Sequence, residues 1–173
     1  MPYENLFTPY ERGPLATRHR IAMAPLTRNR AVGTVPGPIN AEYYAQRADA
    51  AILVTEGTHP AAVGQGYLDI AGLHNDEQQA GWKLVADAVH AAGDAKLFIQ
   101  LMHCGRIAHA LNLPAGAHVL APSAVQAAGE MWTDQEQMQP HTTPREMTTE
   151  EVQAAIAEFG TAARLAKAAG FDG

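Results

Sequence analysis

Apolar residues gather in three short runs, and each run is followed by a stretch in which they recur at helical spacing. The first run, residues 19–25, predicts a strand that stops at Pro25, which has no N–H to give to a ladder. A loop bearing Gly33, Pro36, Gly37 and Pro38 follows, and residues 40–48 then predict a short helix. The second run, residues 51–57, is nearly continuous in apolar character, as a parallel strand covered on both faces requires. After a glycine-bearing loop through Gly64 and Gly66, Asn75 stands three residues before Gln78, the spacing of a capping box. Trp82, Val85 and Val89 then recur at helical spacing, and Gly93 supplies a stop. The third run, residues 96–102, leads into a long polar, proline-rich excursion over residues 103–145 with little periodicity, and loops of such length are usually functional. Thr148 and Glu151 repeat the capping-box spacing, and Val152, Ile156, Phe159 and Ala163 predict the buried face of a third helix.

Strands alternating with helices imply a parallel sheet with right-handed crossovers. Two α/β architectures satisfy the pattern: a small doubly wound sheet, or the first three β/α units of a (β/α)8 TIM barrel. A faint repeat bears on the choice. Ala91-Ala92-Gly93 closes the second helix before a strand, and Ala168-Ala169-Gly170 closes the third before Phe171-Asp172-Gly173. The last three residues therefore read as the approach to a fourth strand. A closed barrel needs ~250 residues, so the expectation is that residues 1–173 form the N-terminal part of one barrel domain.

Composition narrows the function. The chain is 47% apolar and 17% charged with a net charge of −6, which fits a globular fold and disfavours nucleic acid, since no Lys/Arg-rich patch stands ready to neutralise phosphates. No apolar run approaches the ~20 residues that span a bilayer. The opening Met1-Pro2-Tyr3-Glu4-Asn5 lacks the basic and apolar segments of a secretory signal. A single cysteine, Cys104, excludes an intrachain disulfide framework. The expected location is therefore the cytoplasm.

Ligands of parallel α/β folds meet the C-terminal strand ends. Here those ends are Ala24-Pro25-Leu26-Thr27, Glu56-Gly57-Thr58 and Gln100-Leu101-Met102-His103. They offer a hydroxyl, a bare peptide and a primary amide, a set that suits a planar heterocycle with donors and acceptors on its edge. They offer no carboxylate pair, no Ser/His/Asp ordering and no metal-ligand spacing. His103 and Cys104 are adjacent on a strand end, so their side chains should diverge and no zinc site is expected. The Gly-x-Gly-x-x-Gly fingerprint of a dinucleotide-binding sheet is missing after each strand.

The segment 20–31, Arg-Ile-Ala-Met-Ala-Pro-Leu-Thr-Arg-Asn-Arg-Ala, resembles the first-strand signature of Old Yellow Enzymes. Tyr43-Tyr44-Ala45-Gln46-Arg47-Ala48 is similar to that family's first barrel helix, and Glu56-Gly57-Thr58 with Gly64-Gln65-Gly66-Tyr67 to its second strand end and loop. His74 to Gln78 with Gly81-Trp82, Gln100 to Arg106, and Thr143-Pro144-Arg145 with Thr148 and Glu151 continue the likeness in order and spacing across essentially the whole chain. The resemblance, nearest to bacterial alkene and N-ethylmaleimide reductases, implies a TIM barrel holding FMN at its mouth, with NAD(P)H as hydride donor and an activated alkene (enone, maleimide or nitroalkene) as substrate. It implies that Ala24, Pro25, Leu26, Thr27, Gly57 and Gln100 contact the flavin, with Thr27 near its O4/N5 edge, and that Tyr67 and Met102 border the substrate. Arg145 is either a solvated charge at a helix start or part of the pocket rim. Met102 stands where close relatives carry Trp. The family's His-x-x-Asn or His-x-x-His pair, its Tyr proton donor and its phosphate-binding loops would follow residue 173, so no catalytic residue is assigned within this chain. The expectation is a segment inactive by itself; the alternative is a non-catalytic half-barrel that associates with a complementary C-terminal chain.

Overall fold

In the computed structural model, which describes residues 3–173, the sheet order matches the predicted pattern. The reading of the extreme N-terminus rests partly on Met1 and Pro2, which lie outside the described residues. Strands β1 (Tyr10–Arg12) and β2 (Leu15–Thr17) form an antiparallel hairpin that the hydrophobic pattern did not announce. Strand β3 (Ala22–Met23) pairs in parallel with β4 (Ile52–Thr58), and β4 with β5 (Lys96–Leu101), in the order β3-β4-β5. β3 is shorter than the predicted run and stops before Pro25.

Helix α1 (Pro38–Ala45) begins two residues earlier than the apolar spacing suggested. Pro38 occupies the first turn, where its missing N–H costs nothing, and Asn40 Oδ1 accepts from Gly37 N at 2.9 Å. Helix α2 (Asp76–Ala92) is capped by Asn75, whose side chain accepts from Gln78 N at 2.9 Å. Only half of the predicted box forms. Gln78 Oε1 accepts instead from His74 N at 2.9 Å, and its Nε2 donates to Thr34 Oγ1 at 2.8 Å, so this buried amide ties the helix start to the loop after β3. Helix α3 (Thr149–Ala169) carries the complete reciprocal box between Thr148 and Glu151 and ends on Gly170 with φ 99°, a left-handed cap that a side chain would strain.

The main core lies between the helices and the outer face of the sheet. Trp82 is its centre: fully buried, edge-on to Phe171 at 5.6 Å between ring centroids, near Tyr44 at 6.3 Å, with its indole N–H donating to Gly72 O at 3.0 Å. The predicted buried face of α3 is not the one observed. Val152 and Ile156 remain 40% and 61% exposed, and Ala163 is exposed; the buried positions are Ala162, Ala166 and Ala169. Small residues face the core because α3 lies close over Ala86 and Phe171, while Val152 and Ile156 on the larger apolar face stay exposed.

Residues 171–173 behave as a strand approach. Asp172 N donates to Leu97 O at 2.9 Å and Ile99 N donates to Gly173 O at 3.0 Å, which continues the parallel ladder beyond β5. Asp172 also accepts from Leu97 N at 2.9 Å and meets Lys96 and His90 at 3.2 and 3.1 Å. Partial burial pushes its carboxyl up, but these donors together hold it below the ordinary range. The three described parallel strands do not close a barrel.

The excursion is more structured than its sequence suggests. Within it, β6 (Leu120–Ala121) pairs in parallel with β9 (Arg145–Glu146), and β7 (Glu130–Thr133) forms a hairpin with β8 (Gln137–Pro140). Its own apolar cluster is small, centred on Ala108, Leu113 and Val119. Asn112 Nδ2 fastens it by donating to Gly66 O at 3.1 Å and to Trp132 O at 2.9 Å.

Candidate functional site

A register shift in β4 builds the C-terminal edge of the sheet. Val54 opposes Phe98, but Gly57 opposes Gln100, so one extra residue of β4 is accommodated around Thr55 and Glu56. Strand side chains alternate between faces, and Leu53 points outward into the helix-side core. The bulge resets that alternation. Glu56 turns outward toward α1, and Gly57 turns inward beside Gln100. A Cβ on Gly57 would collide with Met102 Cε, stand 2.9 Å from its Sδ and 3.5 Å from Gln100 Oε1. The flexible tip of Met102 lies across the bare Cα of Gly57, and a side chain there would have to push it aside.

The structure thus brings Gly57, Gln100 and Met102 to one place. Gln100 N donates to Thr55 Oγ1 at 3.3 Å, while the half-buried side-chain amide of Gln100 has no hydrogen-bond partner among the described residues. The first strand tip is more open. Ala24, Leu26 and Thr27 are exposed, Pro25 is half-buried, and the Thr27 hydroxyl has no hydrogen-bond partner among the described residues. The residue after Thr27 is linked to the tip of β4: Arg28 N donates to Glu56 Oε2 at 3.1 Å. A free amide beside a bare peptide, with a free hydroxyl past the end of the neighbouring strand, fits a ligand edge that carries both donors and acceptors.

Tyr67 is 38% exposed on the loop after β4. That loop is fixed at both ends. His59 N donates to Ala71 O at 3.0 Å, Leu73 N donates to His59 O at 2.9 Å, and Ala31 N donates to Asp69 O at 3.0 Å. The His59 ring is buried, with Nδ1 2.9 Å from Ala61 O, Nε2 unpartnered, and His74 at 5.3 Å between ring centroids. Burial drives its pKa down to about 4, so the ring is neutral near pH 7. His103 uses Nδ1 to accept from Gly105 N at 3.0 Å. Burial raises the pKa of the Cys104 thiol, which keeps it protonated and a poor nucleophile.

Arg145 is an exposed charge in β9, just ahead of α3. Its guanidinium pairs with Glu151, one N–H to Oε2 at 3.0 Å, and that pairing holds the Glu151 carboxyl down near 2. The residue that the strand-tip reading missed is Glu56. Its carboxylate is fully buried, and desolvation pushes its pKa up against the donors around it. The signal was present in the sequence as a lone acidic residue inside an otherwise apolar and small strand run.

Comparison with known proteins bears on the family and the fold. The profile of the NADH:flavin oxidoreductase / NADH oxidase family matches residues 5–173. A 12-oxophytodienoate reductase 7 from Oryza sativa subsp. japonica is 38% identical over 171 residues, covering 97% of this chain and 43% of its own length. A chanoclavine-I aldehyde reductase from Penicillium roqueforti is 42% identical over 173 residues, covering 97% of this chain and 44% of its own. Among solved structures, a morphinone reductase variant in complex with tetrahydroNAD superimposes with a TM-score of 0.91 at 40% identity, over 97% of this chain and 47% of that one. The old yellow enzyme homologue from Zymomonas mobilis gives 0.91 at 38% identity, over 98% and 47%. The chain spans less than half the length of each of these proteins.

Proposed function

Because the chain belongs to the NADH:flavin oxidoreductase / NADH oxidase family, the Old Yellow Enzymes, which use FMN with NAD(P)H as hydride donor, we propose that it forms one side of an FMN site in an ene-reductase. The reading rests on Gly57 and Gln100 standing side by side with Met102 across them, at the end of the sheet where parallel α/β folds take their ligands. In this reading the three units are the first three of a TIM barrel. The Gln100 amide pairs with the pyrimidine edge of the ring. The flexible Met102 tip, which covers the bare Cα of Gly57, would turn aside for the ring to lie against that backbone, and Ala24, Pro25 and Leu26 would line it. The Thr27 hydroxyl donates toward the O4/N5 edge, where a hydrogen bond favours the electron-rich reduced form. Tyr67 and Met102 border the substrate, and Met102, flexible and smaller than a tryptophan, leaves room for it. Held by these residues, FMN would supply the chemistry of hydride transfer from NAD(P)H to an activated alkene such as an enone, maleimide or nitroalkene.

The remaining walls of the site, the proton donor and the phosphate grip come from polypeptide beyond these three units, in a continuing chain or in a complementary one. The unfinished parallel ladder at residues 171–173 and the exposed face of α3 at Val152 and Ile156 favour such a completion. The test is a titration of FMN with the full-length protein, followed by flavin fluorescence and enone-dependent NADPH oxidation. Gln100→Ala is expected to weaken FMN binding roughly tenfold, and Thr27→Ala to slow flavin reduction with FMN still bound. Wild-type protein that leaves flavin fluorescence unquenched at micromolar concentration would refute the reading.

A further inference from the structure

The buried carboxylate of Glu56 takes part in no step of the proposed chemistry, yet it sits between all the elements that shape the first two strand tips. It lies on the outer face of β4, directly before Gly57 on the inner face. Its Oε2 accepts from Arg28 N at 3.1 Å, one residue past Thr27. Its Oε1 is 3.5 Å from the buried Tyr44 hydroxyl, which in turn accepts from Glu56 N at 2.8 Å. Asn40, also buried, adds a hydrogen bond from the start of α1, and the Arg28 guanidinium, packed over the Tyr43 ring at 5.0 Å, adds favourable charge.

This arrangement is expensive for a purely structural element. A buried carboxylate carries a desolvation penalty that an apolar side chain at the same strand position would avoid. What an apolar residue could not do is hold a backbone N–H across the gap between β4 and the segment after β3. That segment has no strand pairing of its own past Met23, and its residues Leu26, Thr27 and Arg28 are exposed. Asn29 Nδ2 and Ala31 N tie the far end of this segment to Leu68 O and Asp69 O at 2.6 and 3.0 Å, and the Arg28–Glu56 bond ties it to β4 one residue before Gly57.

We infer that Glu56 is a positioning residue: through the Arg28 amide it fixes the Leu26–Thr27 segment, so that the Thr27 hydroxyl and the bare peptide of Gly57 are held in one geometry toward the flavin ring. The inference rests on the proposed flavin site, and its test separates the two. Wild-type, Glu56→Gln and Glu56→Leu full-length proteins are titrated with FMN, the flavin absorption band is recorded, and amide exchange at Arg28 is measured without flavin. Glu56→Leu is expected to free the Arg28 amide to exchange, weaken FMN binding about tenfold and shift the visible band. Glu56→Gln, which keeps an acceptor for the amide, restores most of both. Should Glu56→Leu fail to fold, Tyr44→Phe provides the milder disturbance, with the same effects in smaller size. Wild-type protein that binds no FMN counts against the flavin site, and the exchange measurement still decides the tether. An Arg28 amide equally protected in wild type and Glu56→Leu, or an unchanged FMN affinity and band in a folded Glu56→Leu, would overturn the assignment of Glu56.

Discussion

Helices α2 and α3 are built alike and packed differently. Each opens on a side-chain cap, carries acidic residues in its first turn and has a basic residue in its last. Yet α2, the shorter, buries Trp82, Val85 and Val89, while α3 buries only Ala162, Ala166 and Ala169 and leaves Ile156 61% exposed. The difference lies in neighbours rather than in the helices themselves. α2 is flanked by α1 on one side and α3 on the other, whereas α3 meets α2 and the edge of the sheet. An amphipathic pattern shows that a face can be buried; burial itself needs a second surface.

The largest effect is expected at Trp82, which joins α1, α2 and the segment after α3. Trp82→Ala is expected to cost about 3–5 kcal/mol in chemical denaturation, enough to unfold a marginal chain. A loss below about 1 kcal/mol would mean that the core does not turn on this residue.

Acid provides the next lever, through His59 beneath the loop that leads into α2. Its folded pKa is near 4, against 6.5 when unfolded. The unfolded chain therefore binds the proton first, and His59 subtracts stability progressively as pH falls from 6.5 to about 4, to a total of about 3 kcal/mol. Glu56 acts with the opposite sign. Its folded pKa is raised above the ordinary 4.5, so its contribution is present in acid and lost as pH rises through that higher folded value. The comparison that isolates the histidine is wild type against His59→Gln. The stability gap should move in favour of the variant on going from pH 7 to pH 4.5, and a gap independent of pH would contradict the depressed pKa.

The caps give a smaller and more nearly equal pair. Asn75→Ala and Thr148→Ala each remove an oxygen that accepts from a first-turn amide, and each is expected to cost about 1 kcal/mol. Thermal melts of the two variants that differ severalfold would show that local chemistry also separates the helices. The smallest effect belongs to the exposed face. Ile156→Ser should change stability by less than about 0.5 kcal/mol in this chain. A longer polypeptide in which the same substitution costs several times more would identify this face as covered there.

Much of the framework was legible from residue order. Pro25 ended its strand region, Asn75 and Thr148 capped their helices, and Phe171-Asp172-Gly173 led onto the ladder beside β5. Three features were not. The hairpin of β1 and β2 has too few residues to show a period. The pairings inside the excursion, such as β6 with β9, are two residues long and far apart in sequence. The buried face of α3 was misread because its large apolar residues outweigh its alanines in any periodicity, while close helix packing selects the alanines. At the candidate site, Gly57, Gln100 and Met102 were found by strand-end logic. Glu56 was passed over because its partner, Arg28 N, is a backbone group 28 residues away.

By itself, then, the sequence determined the alternation of strands and helices, their caps and stops, and the identity of the groups at the three strand tips. These depend on local torsional preferences and on neighbours within a few positions. Only the tertiary structure decided that β4 carries a bulge, that this bulge sends Gly57 inward and Glu56 outward, and which side of α3 meets the core. Such choices follow from steric fit and hydrogen-bond satisfaction between segments distant along the chain, and no local pattern encodes the shape of a surface that another segment supplies.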